Sequence, residues 1–197
     1  MKYLQIITFS LLLFMSCKHE KHTTIEIETD LGNIVLELYH DKAPKTCANF
    51  LKHIEQGTFK DASFYRTVRL DNQPENNVKI EVIQGGINSE ETPFEPVLHE
   101  NTKQTGILHE EGTLSMARYE PGTATTEFFI CIGNQPELDY GGKRNPDGQG
   151  FAAFGKVVQG MDVVKAIQQL KDEDQMLIKP VPFSIVSVGS TTLYNTL

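Results

Sequence analysis

The sequence has no tryptophan, only three cysteines, and fewer basic than acidic residues. Lysine and arginine number 18 against 26 aspartate and glutamate, which gives a formal net charge of −8. Because no basic run offsets this charge, the composition argues against nucleic acid as a partner. With 39% hydrophobic and 22% charged residues, the balance is globular, which argues against disorder and against a polytopic membrane protein. A chain of 197 residues can also bury a core without disulfide or metal staples.

An apolar run near the N-terminus, Tyr3–Met15, is shorter than the roughly 20 residues of a transmembrane helix. With Lys2 before it, the run suits a signal peptide. It ends at Ser16-Cys17, a small residue followed by cysteine, which resembles a bacterial lipoprotein signal with Cys17 lipidated. A plain secretory signal or a signal anchor, with Cys17 incidental, is the alternative. We expect a signal peptide at 1–16, a lipidated cysteine and tether at 17–23, and one domain at 24–197.

This signal predicts a cell-envelope protein, anchored to a membrane through lipid and facing the periplasm or the exterior. Disulfides can form there, but Cys47 and Cys131 both lie in apolar patterns, which favours two separate buried thiols while a bridge stays open. His99 and His109 lack metal-ligand spacing, and the Glu-rich segment 87–112 is interpreted as a solvated loop. We therefore expect no metal.

Two hydrophobic patterns define the start of the domain. Thr24–Thr29 and Ile34–Tyr39 alternate apolar and polar residues around a turn, which predicts a β-hairpin. A helix is then expected with Asp41 as its cap, Pro44 in its first turn and Gly57 at its end.

The rest of the chain reads mostly as short strands separated by Gly- and Pro-rich loops. A second helix begins at Gly160-Met161-Asp162. Many short strands predict a closed barrel, because a barrel pairs the hydrogen-bonding groups of every strand and leaves no exposed edge. The predicted strands are Ser63–Val68, Lys79–Gln84, Thr113–Ala117, Phe128–Ile132, Phe151–Val158 and Val181–Val188.

Five motifs contain residues that the formation of a barrel does not require. They are Phe64-Tyr65-Arg66-Thr67-Val68, Val82-Ile83-Gln84-Gly85-Gly86, Gly112-Thr113-Leu114-Ser115-Met116-Ala117-Arg118, Glu127-Phe128-Phe129-Ile130-Cys131 and Gly150-Phe151-Ala152-Ala153-Phe154-Gly155-Lys156-Val157-Val158. In this order and spacing the chain resembles the cyclophilin-type peptidyl-prolyl isomerases from about Thr24 to Val188. The resemblance implies an all-β-dominated fold, a closed eight-stranded antiparallel barrel with two capping α-helices. It also implies an enzyme that rotates X–Pro peptide bonds without a cofactor.

The resemblance further implies where the site lies. Arg66 matches the catalytic arginine of the family, and Gln84 matches the glutamine that orients it and binds the substrate backbone. The remaining positions are substrate-binding ones: Val82, Phe129, Leu138 and Phe151 in the proline pocket, Ala117 and Arg118 on the strand that pairs with the substrate, and Glu127 where the family has a Gln that contacts the substrate.

An arginine suits this chemistry for a physical reason. Rotation about the peptide bond is opposed by a barrier of about 18–20 kcal/mol because amide resonance must be broken. The twisted amide regains a nitrogen lone pair, so a donor aimed at that nitrogen binds the transition state better than the planar ground state. An apolar pocket must hold the proline ring meanwhile.

The sequence departs from the family pattern at several of these positions. Glu81 replaces a Phe, Glu127 a Gln, Glu137 a Trp and Phe151 a His, and Val82 is smaller than the usual Met. At about 4 Å from Arg66, a Glu127 carboxylate would attract it by about 4 kcal/mol at an effective dielectric near 20, which would either lock Arg66 usefully or hold it away from the proline. We expect Glu127→Gln to raise activity; a fall would mean that Glu127 positions Arg66.

Two functions therefore stay open at this stage. The first is a monomeric prolyl isomerase that assists the folding of exported polypeptides by acting on their proline-containing segments. The second is a binding module or chaperone with little or no turnover, because of Glu81 and Glu127. The Gly-rich segment Asp139–Gly150 is either a solvated connection or a lip that contacts residues flanking the proline.

Overall fold

The computed structural model describes residues 21–89 and 92–192, so the predicted signal peptide and Cys17 lie outside the described residues. Strands β1 (Lys21–Thr29) and β2 (Gly32–Tyr39) form the predicted hairpin, with Thr29 paired to Gly32 across the turn. Their alternating apolar residues all lie on one face and are fully buried: Ile25, Ile27, Ile34, Leu36 and Leu38.

The strands close into a barrel in which neighbouring strands are antiparallel. The strands after the hairpin are β3 Ser63–Val68, β4 Val82–Gly86, β5 Thr113–Met116, β6 Phe128–Cys131, β7 Ala152–Gln159, β8 Asp172–Glu173 and β9 Met176–Thr192. The order around the barrel is β1-β2-β7-β5-β6-β4-β3-β9, and β9 pairs back onto β1, which confirms the closed eight-stranded barrel. The two-residue strand β8 pairs only with β9.

The predicted strand at Lys79–Gln84 is displaced toward the C-terminus. Pairing of β4 with β3 begins at Val82, opposite Val68, and continues to Gly86, opposite Ser63. The residues just before β4 make side-chain contacts instead, since the carbonyl of Ile80 accepts from the Gln73 amide at 2.7 Å.

Three α-helices are present in the described residues, α1 (Pro44–Glu55), α2 (Thr102–Thr105) and α3 (Met161–Gln168). The two predicted helices are α1 and α3, and α2 is a single additional turn. The expected cap at Asp41 is wrong, because Ala43 occupies the N-cap position and makes no side-chain cap. Glu100, far along the chain, accepts from the N–H groups of Lys45 (3.3 Å) and Thr46 (2.8 Å) instead.

Aromatic side chains fill the interior of the barrel, so a binding site has room only on the outer face. Phe50 packs edge-on against Phe128 with ring centroids 5.5 Å apart, and Phe64 contacts Phe128 at 5.9 Å. A second, smaller apolar cluster lies outside this core and comprises Val68, Ile80, Val82, Phe129, Cys131 and Leu138.

Both described cysteines are free and buried, as predicted. The Cys47 thiol donates to the carbonyl of Phe154 at 3.5 Å, and burial raises its pKa to about 12. Burial also raises the pKa of the Cys131 thiol. A thiol that is protonated at neutral pH is a poor nucleophile, so neither residue suits thiol catalysis.

Candidate active site

A groove of about 1170 Å³ lies on the outer face of the barrel. The structure brings all of the sequence-predicted site residues within the domain to its walls, while Cys17 lies outside the described residues. These lining residues are Arg66, Val82, Gln84, Ala117, Arg118, Glu127, Phe129, Leu138 and Phe151.

A β-bulge places two consecutive side chains of β3 in this groove. The pairing register of β3 shifts between Phe64 and Arg66 against both β4 and β9. Phe64 therefore packs in the barrel core, whereas Tyr65 and Arg66 both line the groove. A bulge commonly re-aims a side chain in this way. Strict alternation, which would give Phe64 and Arg66 the same face, fails here.

Two glutamines hold the Arg66 guanidinium. Its Nη1 donates to Gln84 Oε1 at 2.8 Å, while Nε and Nη2 both donate to Gln175 Oε1, at 3.2 and 2.5 Å. Burial lowers the pKa of Arg66 from its ordinary value of 12.5. The guanidinium is therefore fixed in direction by neutral partners, which leaves its charge uncompensated.

Gln175, which binds Arg66, is not among the predicted site residues, because no motif in the sequence marks it. It lies at the turn between β8 and β9 with φ of 71°, a conformation that a non-glycine residue rarely adopts. Its carbonyl accepts from the N–H of Thr67 at 2.8 Å, and its side-chain amide donates to the carbonyl of Asn72 at 3.2 Å. These contacts attach the turn to β3 and aim the side chain at Arg66.

A line of hydrogen bonds continues from Gln84 to Glu127. The Gln84 amide donates to the Tyr65 hydroxyl at 2.7 Å, and that hydroxyl donates to Glu127 Oε2. Glu127 Oε1 accepts from the N–H of Asn88 at 3.0 Å. A Cβ at Gly86 would overlap the Glu127 carboxylate, so glycine is required there.

Glu127 thus reaches Arg66 only indirectly. Of the ion pairs among residues 21–89 and 92–192, none joins these two side chains. Burial raises the pKa of Glu127 above its ordinary 4.5, and burial together with Glu127 raises the pKa of Tyr65. The direct lock and the direct restraint that the sequence suggested are both wrong.

An apolar pocket adjoins Arg66. Val82, Phe129 and Leu138 are buried in its walls, and the Phe129 and Phe151 rings meet edge-on with centroids 5.3 Å apart. Ala117, just past β5, borders the groove and donates its N–H to the carbonyl of Glu127 at 2.8 Å. The pocket thus offers hydrocarbon surface and no acid or base of its own.

A serine, a histidine and an aspartate lie in line beneath this pocket. His109 Nδ1 is 2.7 Å from Asp139 Oδ1, and Nε2 is 2.9 Å from Ser115 Oγ. The histidine ring stacks under Phe129 with centroids 5.9 Å apart, and Ser115 has no exposed surface. Because no substrate can reach this serine, the three residues support the pocket floor and form no hydrolytic site.

Arg118 lines the groove, but its side chain binds other residues of this chain. It forms a bidentate ion pair with Asp147 at 2.8 and 3.0 Å and donates to the carbonyl of Gly150. Its guanidinium also lies 5.2 Å from the ring centre of Phe151. The Arg118 side chain is only 1% exposed and links the loop Asp139–Gly150 to the pocket.

The other two unusual acids, Glu81 and Glu137, are not among the residues that line the groove. Glu81 accepts from the side chain of Gln168, in α3, at 3.4 Å. Glu137 accepts from the N–H of Lys143 at 2.8 Å and so helps fold the loop that follows it. The segment Asp139–Gly150 forms a lip of the groove, because its Arg144 and Asn145 line it; contact of this lip with residues flanking the proline stays a prediction.

Over residues 21–89 and 92–192, no cluster of three or more His, Cys, Asp or Glu side chains could hold a metal. In the same ranges, no helix has the length and apolarity needed to cross a membrane.

A donor of fixed direction beside an apolar pocket is the arrangement expected of an isomerase that twists a bond without breaking it. The sequence matches the family model for "Cyclophilin type peptidyl-prolyl cis-trans isomerase/CLD" over residues 24–190. The chain belongs to this family, and its activity is peptidyl-prolyl cis-trans isomerisation.

Relatives and solved structures agree with this assignment. The peptidyl-prolyl cis-trans isomerase cyp18 of Streptomyces antibioticus is 32% identical over 176 residues, covering 87% of this chain and 98% of the relative. Isomerase B of Escherichia coli is 31% identical over 178 residues, covering 86% and 98%. A Cryptosporidium parvum cyclophilin crystal structure shares the fold with a TM-score of 0.65 at 23% identity, covering 85% of this chain and 98% of that one.

Proposed function

We propose that this isomerase acts on X–Pro bonds of exported polypeptides, with Arg66 as its catalytic residue. The arrangement of Arg66 supports the role most directly. Its guanidinium borders the apolar pocket and is aimed by Gln84 and Gln175. A pre-aimed donor needs no reorganisation as the amide nitrogen regains its lone pair, so it favours the twisted transition state selectively.

The pocket of Val82, Phe129, Leu138 and Phe151 is proposed to hold the proline ring while the preceding residue turns. A further Cryptosporidium parvum cyclophilin structure was obtained in the presence of the dipeptide Ala-Pro, which supports a proline-containing ligand here. Ala117 and Arg118 are proposed to pair with the substrate backbone. Arg118 would do so through its main chain, since Asp147 and Gly150 engage its side chain.

The proposed location rests on the N-terminal sequence. The apolar run before Ser16-Cys17 supports export, and a lipidated Cys17 followed by a short polar tether would anchor the domain to a membrane. Uncatalysed X–Pro isomerisation takes tens of seconds or longer, slow enough to limit folding. An isomerase facing the periplasm or the exterior would relieve this delay for newly exported chains.

A protease-coupled isomerisation assay on an Ala-Pro-Phe peptide tests the role of Arg66. We expect wild-type activity that falls at least about 100-fold in Arg66→Ala, within the range for removal of one key transition-state donor. Lys60→Ala, which removes an exposed cation from the turn before β3, should keep wild-type activity. Equal rates in wild type and Arg66→Ala would overturn the role and favour the proline-binding module.

Metabolic labelling with a radioactive fatty acid tests the anchor. Label should follow the wild-type chain into the membrane fraction and be lost in Cys17→Ala. A Cys17→Ala chain that still incorporates label would refute lipidation at this residue.

A further inference from the structure

The loop Asp139–Gly150 is built as a rigid lip. The N–H of Gly141 donates to the carbonyl of Gly148 at 2.8 Å, and the N–H of Tyr140 donates to the Thr102 hydroxyl at 2.9 Å. A Cβ on Gly142 would lie 2.5 Å from the carbonyl oxygen of Glu137, so the backbone packs tightly there. The loop therefore has the order needed to position a side chain.

The side chain that this lip delivers to the groove is Arg144. Its N–H donates to the carbonyl of Glu137 at 3.1 Å, and its Nη1 donates to Val78 O at 2.6 Å and Gln73 Oε1 at 3.1 Å. These contacts use one guanidinium nitrogen and orient the group. The side chain is half-buried and lines the same groove as Arg66.

Among the described residues, neither Arg144 nor Arg66 has an acidic partner. Arg69 and Arg118 each form an ion pair with aspartate, but within the described ranges no carboxylate pairs with Arg66 or Arg144. Both side chains line the same groove, and burial together with the charge of Arg66 lowers the pKa of Arg144. The groove therefore presents two guanidiniums that no described carboxylate pairs with, although the net charge of the chain is −8.

The groove also carries a guanidinium toward one end and a carboxyl group toward the other. Arg144 binds the carbonyl of Val78, ahead of β4, whereas Glu127 accepts from the N–H of Asn88, beyond the other end of β4. Gln84, which binds Arg66, lies between them on β4. A peptide with its proline beside Arg66 would therefore extend one flank toward a guanidinium and the other toward a carboxyl group.

We propose that Arg144 is a specificity residue that binds the carboxylate of an aspartate or glutamate flanking the substrate proline. This inference rests on the proposed function, because it places the proline beside Arg66. Nε and Nη2 of Arg144 supply the donors, and a planar guanidinium matches a carboxylate with two parallel hydrogen bonds. The recognised substrates are thus acidic proline-containing segments.

The test compares two sets of peptides by NMR exchange spectroscopy, which requires no coupling protease. One set is acetyl-Ala-Xaa-Pro-Ala-Ala and the other acetyl-Ala-Ala-Pro-Xaa-Ala, with Asp, Asn or Lys at Xaa. In one of the two positions we expect kcat/KM for Asp to exceed that for Asn by about 5- to 10-fold, in line with a charge-assisted hydrogen bond. Lys should fall below Asn there, and added salt should reduce the preference.

Substitutions in the lip assign the preference to one side chain. Arg144→Gln should abolish the Asp preference, and Arg144→Lys should retain part of it. The matched control Lys143→Gln, which removes an exposed charge from the adjacent position, should retain all of it. If Arg144→Gln is unfolded by circular dichroism, Arg144→Lys decides, and an undiminished preference in it overturns the proposal.

The possible failures are distinguishable. Equal kcat/KM for Asp and Asn at both positions in the wild type would refute the role of Arg144 while leaving the proposed function intact. A preference that persists in folded Arg144→Gln would refute it as well. No turnover of any peptide by the wild type would overturn the proposed function itself.

Discussion

One oxygen atom of Gln175 accepts hydrogen bonds from two nitrogens of Arg66, although 109 positions separate the two residues in sequence. Gln84 binds the third guanidinium nitrogen, so Arg66 is held from two sides. We therefore expect Gln175 to be a positioning residue, which acts on the reaction through the direction of the guanidinium.

Replacing Gln175 should lower turnover more than binding. We expect kcat/KM of Gln175→Ala to fall about 5- to 20-fold, mainly through kcat, because the guanidinium gains freedom while the proline pocket is intact. Gln175→Gly relieves the positive φ but also lacks the amide. Equal loss in both variants, measured by steady-state kinetics, assigns the effect to the amide; recovery in the glycine variant would contradict that role.

Glu127→Gln should lower activity, contrary to our expectation from sequence. Glu127 accepts from the Tyr65 hydroxyl on one oxygen and from the N–H of Asn88 on the other. An amide has only one acceptor oxygen, so it loses one of these bonds and disturbs the line through Tyr65 and Gln84 to Arg66. We expect a loss of about 3- to 10-fold in kcat/KM.

Tyr65→Phe provides the comparison for this prediction, because it interrupts the same line at the hydroxyl. The isomerisation assay should give a similar loss for Tyr65→Phe, for Glu127→Gln and for the double variant. Higher activity in Glu127→Gln than in wild type would show that the carboxylate restrains Arg66 after all.

The carboxyl group of Glu127 should make stability depend on pH. Burial raises its pKa in the folded state above the ordinary 4.5, so the folded state holds this proton more tightly than the unfolded state. Unfolding is therefore favoured as pH rises from about 4.5 through the raised value, and the cost is fully present above it. Urea unfolding at pH 4.5 and 7.5 should show Glu127→Gln gaining stability relative to wild type as the pH increases. A constant difference would contradict the raised pKa.

Glu100 should stabilise α1 from a distance. It accepts from two N–H groups in the first turn of that helix and from the Thr46 hydroxyl at 2.7 Å. Glu100→Ala should lower the free energy of unfolding by about 1–2 kcal/mol, as for loss of a helix cap. In urea titrations, Glu110→Ala is the control, since its pairing with Lys156 is exposed and contributes at most about 1 kcal/mol.

The local features of this protein could be predicted because short segments encode them. The β1–β2 hairpin follows from alternation around a turn, and Arg66, Gln84 and Phe129 follow from motifs within single strands. The bulge at Phe64–Arg66 breaks that alternation, so the orientation of Tyr65 could not be predicted. It depends on pairing with two strands at once.

Contacts between distant segments also could not be predicted from the sequence. Gln175 meets Arg66 only after β9 pairs with β3, and Glu100 meets α1 across a separation of 54 positions. The acidic substitutions also could not be interpreted from position alone. Glu81 faces Gln168, and Glu127 is satisfied by Tyr65 and Asn88, so neither restrains Arg66 directly.

The closure of the barrel between β1 and β9 has a consequence for how the molecule would stand on a membrane. The described chain enters through β1, and in the strand order of the ring β6 lies diametrically across from it. Strand β6 carries Phe129, so the Phe129 wall of the groove lies across the barrel from the strand that follows the proposed tether. In an anchored molecule, β1 would lie nearer the lipid and the Phe129 wall of the groove would lie farther from it, where unfolded chains can reach it.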